Sequence, residues 1–344
     1  MVCHVCQDRE CKYFMNCLIW GIKMNEYVFR LYFADEREHF EYGKKNRIEK
    51  KSFPMMDSLL SFLDMDIMSD DMQFREMEEA LQEYRGTRDK KSLALVRARL
   101  DALAGKHILY EALRLEWLDR IERAADAADA DAFDRIAWPK ELRQIPSRLY
   151  AVQRHIEELF ESVLLYGTGK ERIRDRAARY YADKNKHARE IDYYSFGQIT
   201  TVCEAVSAST ITDVLYASSI FDVLDFYVRA CIMEEYPVRR CKNCGKWFIL
   251  TGHNGLEYCT RLLDEKGHTC RDIGAGLGWE KRSRSDKPFT AYRKEYKKRF
   301  ARIKAGRITE EQFHEWGERA RAKKQECDEG LITLDEFVEW LEIS

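Results

Sequence analysis

Apolar residues first alternate, then recur every three or four positions, along most of this chain. Tyr27–Phe33 (YVFRLYF) alternates loosely and is rich in β formers, which predicts a short strand pairing with Glu38–Tyr42. From Asp57 the helical period takes over. Met72–Arg85 and Lys91–Leu103 carry it with Gly86 and Gly105 as breaks, and Ile108–Ala137 continues it. Ala124–Ala132 (AADAADADA) reads as a solvated helix end or acidic connector. Pro139 and Pro146 predict a turn, followed by a helix over Leu149–Leu165 and a basic one over Glu171–His187. The most apolar stripe lies in Ser209–Glu235, where Val214, Ala217, Phe221, Leu224 and Val228 share one face. It predicts one buried helix, capped by Thr210 or Thr212 and ended by Pro237.

The end of the chain is helical again. Asp286 can cap a helix with Pro288 in its first turn, and Phe289–Ala305 then alternates Tyr292, Tyr296, Phe300 and Ile303 with seven Lys and Arg residues. A repeat follows: Gly306-Arg307-Ile308-Thr309-x-x-x-Phe313-x-Glu315-Trp316 returns as Gly330-Leu331-Ile332-Thr333-x-x-x-Phe337-x-Glu339-Trp340. Each copy starts a helix. Thr309 with Gln312, and Thr333 with Glu336, predict capping boxes for helices over Glu310–Glu326 and Leu334–Leu341. The predicted fold class is mainly α: a helical N-terminal body, a small cysteine-rich hairpin module and C-terminal helices.

Composition adds three constraints. With 34% charged residues and no apolar run near the ~20 needed to cross a bilayer, no membrane span is expected. Eleven cysteines without an export signal predict a reducing, cytoplasmic setting in which thiols serve metals rather than disulfides. The net charge of −2 hides an asymmetry: Arg239–Arg307 holds 19 Lys and Arg against 7 Asp and Glu, a net of +12, so the remainder carries −14. A basic module on an acidic body attracts polyanions locally.

The candidate chemistry sits in that basic stretch. Cys241, Cys244, Cys259 and Cys270 follow the pattern C-x2-C-x14-C-x10-C. A two-residue turn aims the first pair of sulfurs at one point, Gly245 relieves the backbone after it, and tetrahedral zinc takes four such thiolates. Trp247–Leu250 predicts a strand, Thr251–Gly255 a turn and Leu256–Tyr258 the returning strand. Cys259 closes that hairpin and Cys270 begins a helix, a treble-clef-like layout. His268 and His253 are alternative ligands, with His268 able to replace Cys270. A closed four-thiolate shell is structural, whereas catalytic zinc keeps an open position. Cys3, Cys6, Cys11 and Cys17 repeat a knuckle-like spacing in residues 1–23, either as a second zinc site or as a doubtful extension preceding an initiator at Met15 or Met24.

CKNCGKWF (residues 241–248), TGH (251–253), EYC (257–259) and TCRDIGA (269–275) resemble an uncharacterised bacterial family, domain of unknown function 6076. The resemblance covers the chain from about Val214 to its end and implies no established activity. More distantly the segment is similar to the CGNR-type zinc finger, in which a helical domain precedes a knuckle and an aromatic hairpin. That likeness implies a bacterial transcription regulator, although the name-giving tetrapeptide is replaced here by Cys270-Arg271-Asp272-Ile273.

The expected organisation is a Cys-rich extension (1–23), a mainly helical domain with a short β segment (24–237), a zinc module (238–280) and a basic helix with two capped helices (281–344). The leading function is a non-enzymatic, zinc-stabilised protein that binds nucleic acid or regulates. Arg239, Arg240, Lys242 and Lys246 flank the knuckle, and Arg271, Arg282, Arg284, Lys294, Lys297 and Lys298 are set to neutralise phosphates of DNA or RNA. The rival is a protein-interaction scaffold in which the basic excess meets an acidic protein surface. A third reading is a His-metal nuclease-like enzyme using His253. Gly167–Gly169 lacks the G-K-[ST] of a phosphate loop and reads as a helix break.

Overall fold

Tyr27–Ala34 (β1) and Arg37–Lys44 (β2) form the expected antiparallel hairpin, in register from Tyr27↔Lys44 to Ala34↔Arg37. Its two-residue turn, Asp35-Glu36, has both φ angles positive, the geometry that matches the strand twist. The structure, a computed structural model, describes residues 26–167, 171–186, 194–250, 255–274, 276 and 286–344. The N-terminal cysteines and His253 lie outside them. Arg47–Pro54 (β3), Thr201–Ala205 (β4) and Ile211–Tyr216 (β5) complete a five-stranded antiparallel sheet of order β3-β2-β1-β5-β4. Sequence pattern misses β3 because RIEKKSFP, an edge strand, is almost wholly exposed and shows no apolar alternation.

The expected single helix over Ser209–Glu235 is two elements. Its first part is β5, where Val214 and Leu215 are both buried, one on each side of the sheet. Two adjacent apolar residues pass for part of a helical stripe, and β pairing with β1 at Leu31↔Leu215 overrides that reading. The helix begins at Ile220, and Ser219, not a threonine, caps it with Asp222 in a capping box.

Among the described residues, the α-helices of this part of the chain are Asp57–Leu63 (α1), Asp71–Thr87 (α2), Lys90–Lys106 (α3), Leu109–Ala125 (α4), Ala130–Asp134 (α5), Pro139–Leu159 (α6), Ile173–Lys186 (α7) and Ile220–Met233 (α8). Helix accounts for 59% of the described residues, so the mainly α expectation stands with a larger sheet than foreseen. The turn expected at Pro139–Pro146 is instead the first two turns of α6. Pro139 occupies the first-turn position where no N–H is needed, and the helix accommodates the one lost donor at buried Pro146. Among the described residues no helix is long and apolar enough to cross a membrane.

Phe29, Leu31, Phe40 and Tyr42 line one face of the sheet and join a core with Phe74, Leu113, Trp117, Leu149 and Leu224. Each such side chain contributes about 1.5–3 kcal/mol by leaving water. Val238 and Trp247 belong to the same core, with Trp247 edge-on to Phe160 at 5.5 Å. The chain divides into this unit and a second one, Arg240–Lys246 with His253–Ser344. In the second, Lys287–Lys304 (α9), Glu310–Asp328 (α10) and Leu334–Ile343 (α11) enclose Phe313, Trp316, Ala320, Phe337 and Leu341. Asp286 caps α9, and Thr309 and Thr333 form both predicted capping boxes.

One carboxylate is buried in the large core without a cation beside it. Glu38 on β2 accepts hydrogen bonds from the Ser58 N–H (2.9 Å), the Ser58 hydroxyl and the Tyr227 hydroxyl (2.7 Å). Burial nevertheless outweighs these donors and lifts its carboxyl from the usual range to about 7. A folded-state value above the unfolded one means the native protein binds the extra proton. Its stabilising contribution is complete below about pH 4.5 and is lost as pH rises through 7. Wild-type protein is therefore expected to lose roughly 3 kcal/mol from this group between pH 4 and 8.5. In denaturant titrations across that range Glu38→Gln removes this part of the slope; an identical slope in the variant would contradict the assignment.

Candidate metal centre

The knuckle is a chain reversal built from backbone bonds. It lies between Val238–Arg240 (β6) and Trp247–Ile249 (β7), which pair as a two-stranded sheet. The Cys241 N–H donates to the Lys246 carbonyl (2.9 Å) and the Gly245 N–H to the Cys241 carbonyl (2.9 Å). Gly245 has φ +73 with open space where a Cβ would sit, so conformation rather than crowding requires glycine there.

The partner of β7 is therefore β6. The returning strand expected at Leu256–Tyr258 is not formed, and residues 255–260 are irregular. The alternation there is too short to outcompete pairing across the knuckle itself. That segment instead meets the knuckle directly: the Lys242 N–H donates to the Glu257 carbonyl (3.0 Å), and the Lys242 ammonium pairs with the Glu257 carboxylate at 2.5 Å.

A second, shorter reversal delivers the last cysteine. Leu262 and Thr269 bridge antiparallel, the Leu263 N–H donates to the His268 carbonyl (2.8 Å), and the Cys270 N–H to the Arg261 carbonyl (3.1 Å). Asp264 holds the turn, accepting from the N–H groups of Lys266 and His268 (3.0 Å each) and facing His268 Nδ1 at 2.7 Å. Thr269 and Asp272 then cap each other's backbone N–H groups, so residues 270–274 begin a helix at Cys270. Tyr258 lies against this turn so closely that a Cβ on Gly274 would come within 2.3 Å of its ring.

These reversals bring four sulfurs together. Those of Cys241, Cys244, Cys259 and Cys270 all lie within 4.8 Å of one another, and this cluster can hold a metal ion. Cys241, Cys259 and Cys270 are buried and Cys244 is half-buried. Cys244 and Cys259 are 3.7 Å apart, close to the edge of about 3.8 Å in a tetrahedron of sulfurs about 2.3 Å from a central ion. The Cys259 N–H and the Asn243 amide point at the sulfurs of Cys241 and Cys270, 3.4 Å away in each case. Burial works against ionisation of Cys241, but N–H groups of Cys244, Cys259 and Asn243 bring its thiol down to about 7. Burial pushes Cys259 up and Cys270 up to about 12. Several buried thiolates need a cation between them, and the donor set fits one.

The basic candidates fall into separate groups. Arg240, Lys242 and Lys246 are on the knuckle; Lys294, Lys297 and Lys298 share one face of α9 at spacings of three and one. Lys294, Lys297 and Arg271 are exposed. Lys298 pairs with Glu295 at 3.2 Å, and the Arg239 guanidinium stacks on the Tyr166 ring at 4.7 Å. Arg282 and Arg284 lie outside the described residues. Sequence reading overlooks the Lys242–Glu257 clasp and the Asn243 bond to Cys270; the T-x-x-D start at Thr269 was a readable signal for the helix.

Residues 198–336 match a family of unknown function (DUF6076). Compared with curated proteins and with solved structures, the chain has no match in either set. The matched span contains all four clustered cysteines and α9 and α10.

Gly274→Ala is expected to displace Tyr258 and to cost about 1–3 kcal/mol of the second unit's stability in thermal unfolding. Substituting Tyr258→Ala in the same chain relieves the added cost. Unchanged unfolding of the single variant would contradict the packing described.

Proposed function

We propose that Cys241, Cys244, Cys259 and Cys270 bind one zinc ion, which serves as the structural centre of a treble-clef-like, non-catalytic module. The observation that carries this reading is what the module lacks. Within residues 255–274 the buried side chains are Cys259 and Cys270, whereas Leu262 is 71% exposed and Leu263 39%. A segment with no apolar core of its own needs a cross-link, and an all-sulfur set of four favours zinc with a closed shell. When bound, the ion neutralises thiolate charge and ties the two reversals together. Free thiols in such a set belong to a reducing compartment, so we place the protein in the cytoplasm.

The surface this module presents is assigned to nucleic acid, in a binding or regulatory role. The support comes from α9. Tyr292 stacks on Trp316 and Tyr296 packs edge-on against Phe313 at 4.9 Å, and with Ile303 they commit most of the apolar stripe to the three-helix core, while Phe300 is 47% exposed. That leaves Lys294, Lys297 and Lys298 exposed on the outward face. Phosphate contacts from Arg240, Lys246, Arg271, Lys294, Lys297 and Lys298 supply sequence-independent affinity, with Arg239, Lys242, Arg282 and Arg284 as further members of the set.

Purified protein is expected to contain one zinc per chain, and Cys241→Ser with Cys244→Ser to abolish it. Duplex binding is expected to fall with log salt at a slope of about −5, and Lys294→Gln with Lys297→Gln to flatten that slope by about 2. Stoichiometric zinc with no nucleic-acid binding at low salt would instead favour the protein-interaction scaffold. Folded protein free of metal would overturn the zinc assignment.

A further inference from the structure

The five-stranded sheet ends in two very different edges. β3 carries Arg47, Glu49, Lys50, Lys51 and Pro54, the charges and proline that discourage another strand from pairing. β4, TVCEA, carries no lysine, arginine or proline, and Thr201, Val202, Cys203 and Ala205 are exposed. Val202 is 41% exposed and Ile211, opposite Ala205 on β5, is 73% exposed.

The backbone direction of β4 follows from its neighbours. The Tyr216 N–H donates to the Thr200 carbonyl and the Val206 N–H to the Thr210 carbonyl. In an antiparallel pair hydrogen-bonded positions alternate, so even-numbered residues of β4 bond inward to β5. Thr201, Cys203 and Ala205 then direct their N–H and C=O groups outward. Glu204 on the even set is held by Arg30 (2.5 Å) and Tyr216 (2.5 Å).

We infer that β4 is a self-pairing edge, joining a second copy of this chain by antiparallel β4–β4 pairing about a two-fold axis through Cys203. The edge is complementary to itself in this register. Thr201 faces the partner copy's Ala205, Cys203 faces its own counterpart, and Ala205 faces Thr201, so every outward N–H and C=O of β4 finds a mate. Val202 lies opposite Glu204 of the second copy, so no two charges of like sign are opposed. A two-fold through Glu204 opposes two carboxylates, and one through Val202 leaves the Ala205 groups unpaired. Pairing joins the two sheets into one continuous sheet and closes an isologous interface. This inference is independent of the metal and nucleic-acid readings.

The register gives a test by charge reversal on the full-length chain, read by sedimentation over a concentration series. Wild-type protein is expected at twice the monomer mass at high concentration and to dissociate on dilution. Thr201→Lys with Ala205→Lys places lysines opposite each other and is expected to give monomer. Thr201→Lys with Ala205→Glu places Lys opposite Glu and is expected to restore the dimer, more weakly as salt rises. A cooperative unfolding transition and a native far-UV circular dichroism spectrum show that each variant is folded; if either double variant misfolds, Cys203→Pro, which removes only an outward N–H, replaces it and is expected to be monomeric. A wild-type chain that is monomeric throughout, or a Lys/Lys variant that still dimerises, would overturn the inference, as would a folded Lys/Glu variant that stays monomeric.

Discussion

Convergence of four sulfurs stands in for a hydrophobic core in the segment that follows the knuckle. Between Gly255 and Gly274 the chain crosses the knuckle, makes one reversal and starts a helix, yet the side chains it buries are those of Cys259 and Cys270. Backbone bonds at Lys242–Glu257 and Arg261–Cys270 shape this path without supplying apolar burial. Ordering each residue costs about 1–2 kcal/mol of backbone entropy, which so few hydrogen bonds do not offset. The four-cysteine cluster can hold a metal ion, and an ion cross-linking Cys241 and Cys244 to Cys259 and Cys270 would offset that cost with a handful of strong bonds. In contrast, the sheet and its helices have Phe29, Phe40, Phe74 and Trp117 to bury and need no such device.

Cysteine spacing made the cluster readable because a two-residue gap constrains the chain and few other structures demand it. Capping chemistry was equally legible, since Thr309, Thr333 and Asp286 announce their helices within four residues. The β1–β2 hairpin was found for the same local reason. What escaped was set by tertiary pairing. β5 looks helical until β1 lies beside it at Leu31, and β3, whose charged residues are all exposed, needs β2 to be a strand at all. Leu256–Tyr258 failed in the opposite sense: a short apolar–charged–apolar alternation suggested a strand, but its backbone is engaged by the knuckle at Lys242.

The three terminal helices show how one repeat can serve two purposes. Phe313 and Phe337 occupy equivalent places in the 24-residue repeat and both enter the small core. Trp316 does so as well and carries the Arg299 guanidinium at 4.6 Å, while the same Arg donates to the Ser344 carbonyl at 2.7 Å. That arrangement consumes one cation of α9 internally and leaves Lys294 and Lys297 on the outside. The positive excess of this region is thus partly structural and partly surface, which residue counts alone do not distinguish.

Hydrogen exchange on intact protein before and after chelation reads the central claim most directly. The N–H groups of Cys259, Leu263 and Cys270 should lose protection when metal is removed and regain it on adding zinc, while those of α8 stay protected throughout. Protection at these three amides that persists in fully metal-free protein would contradict the account.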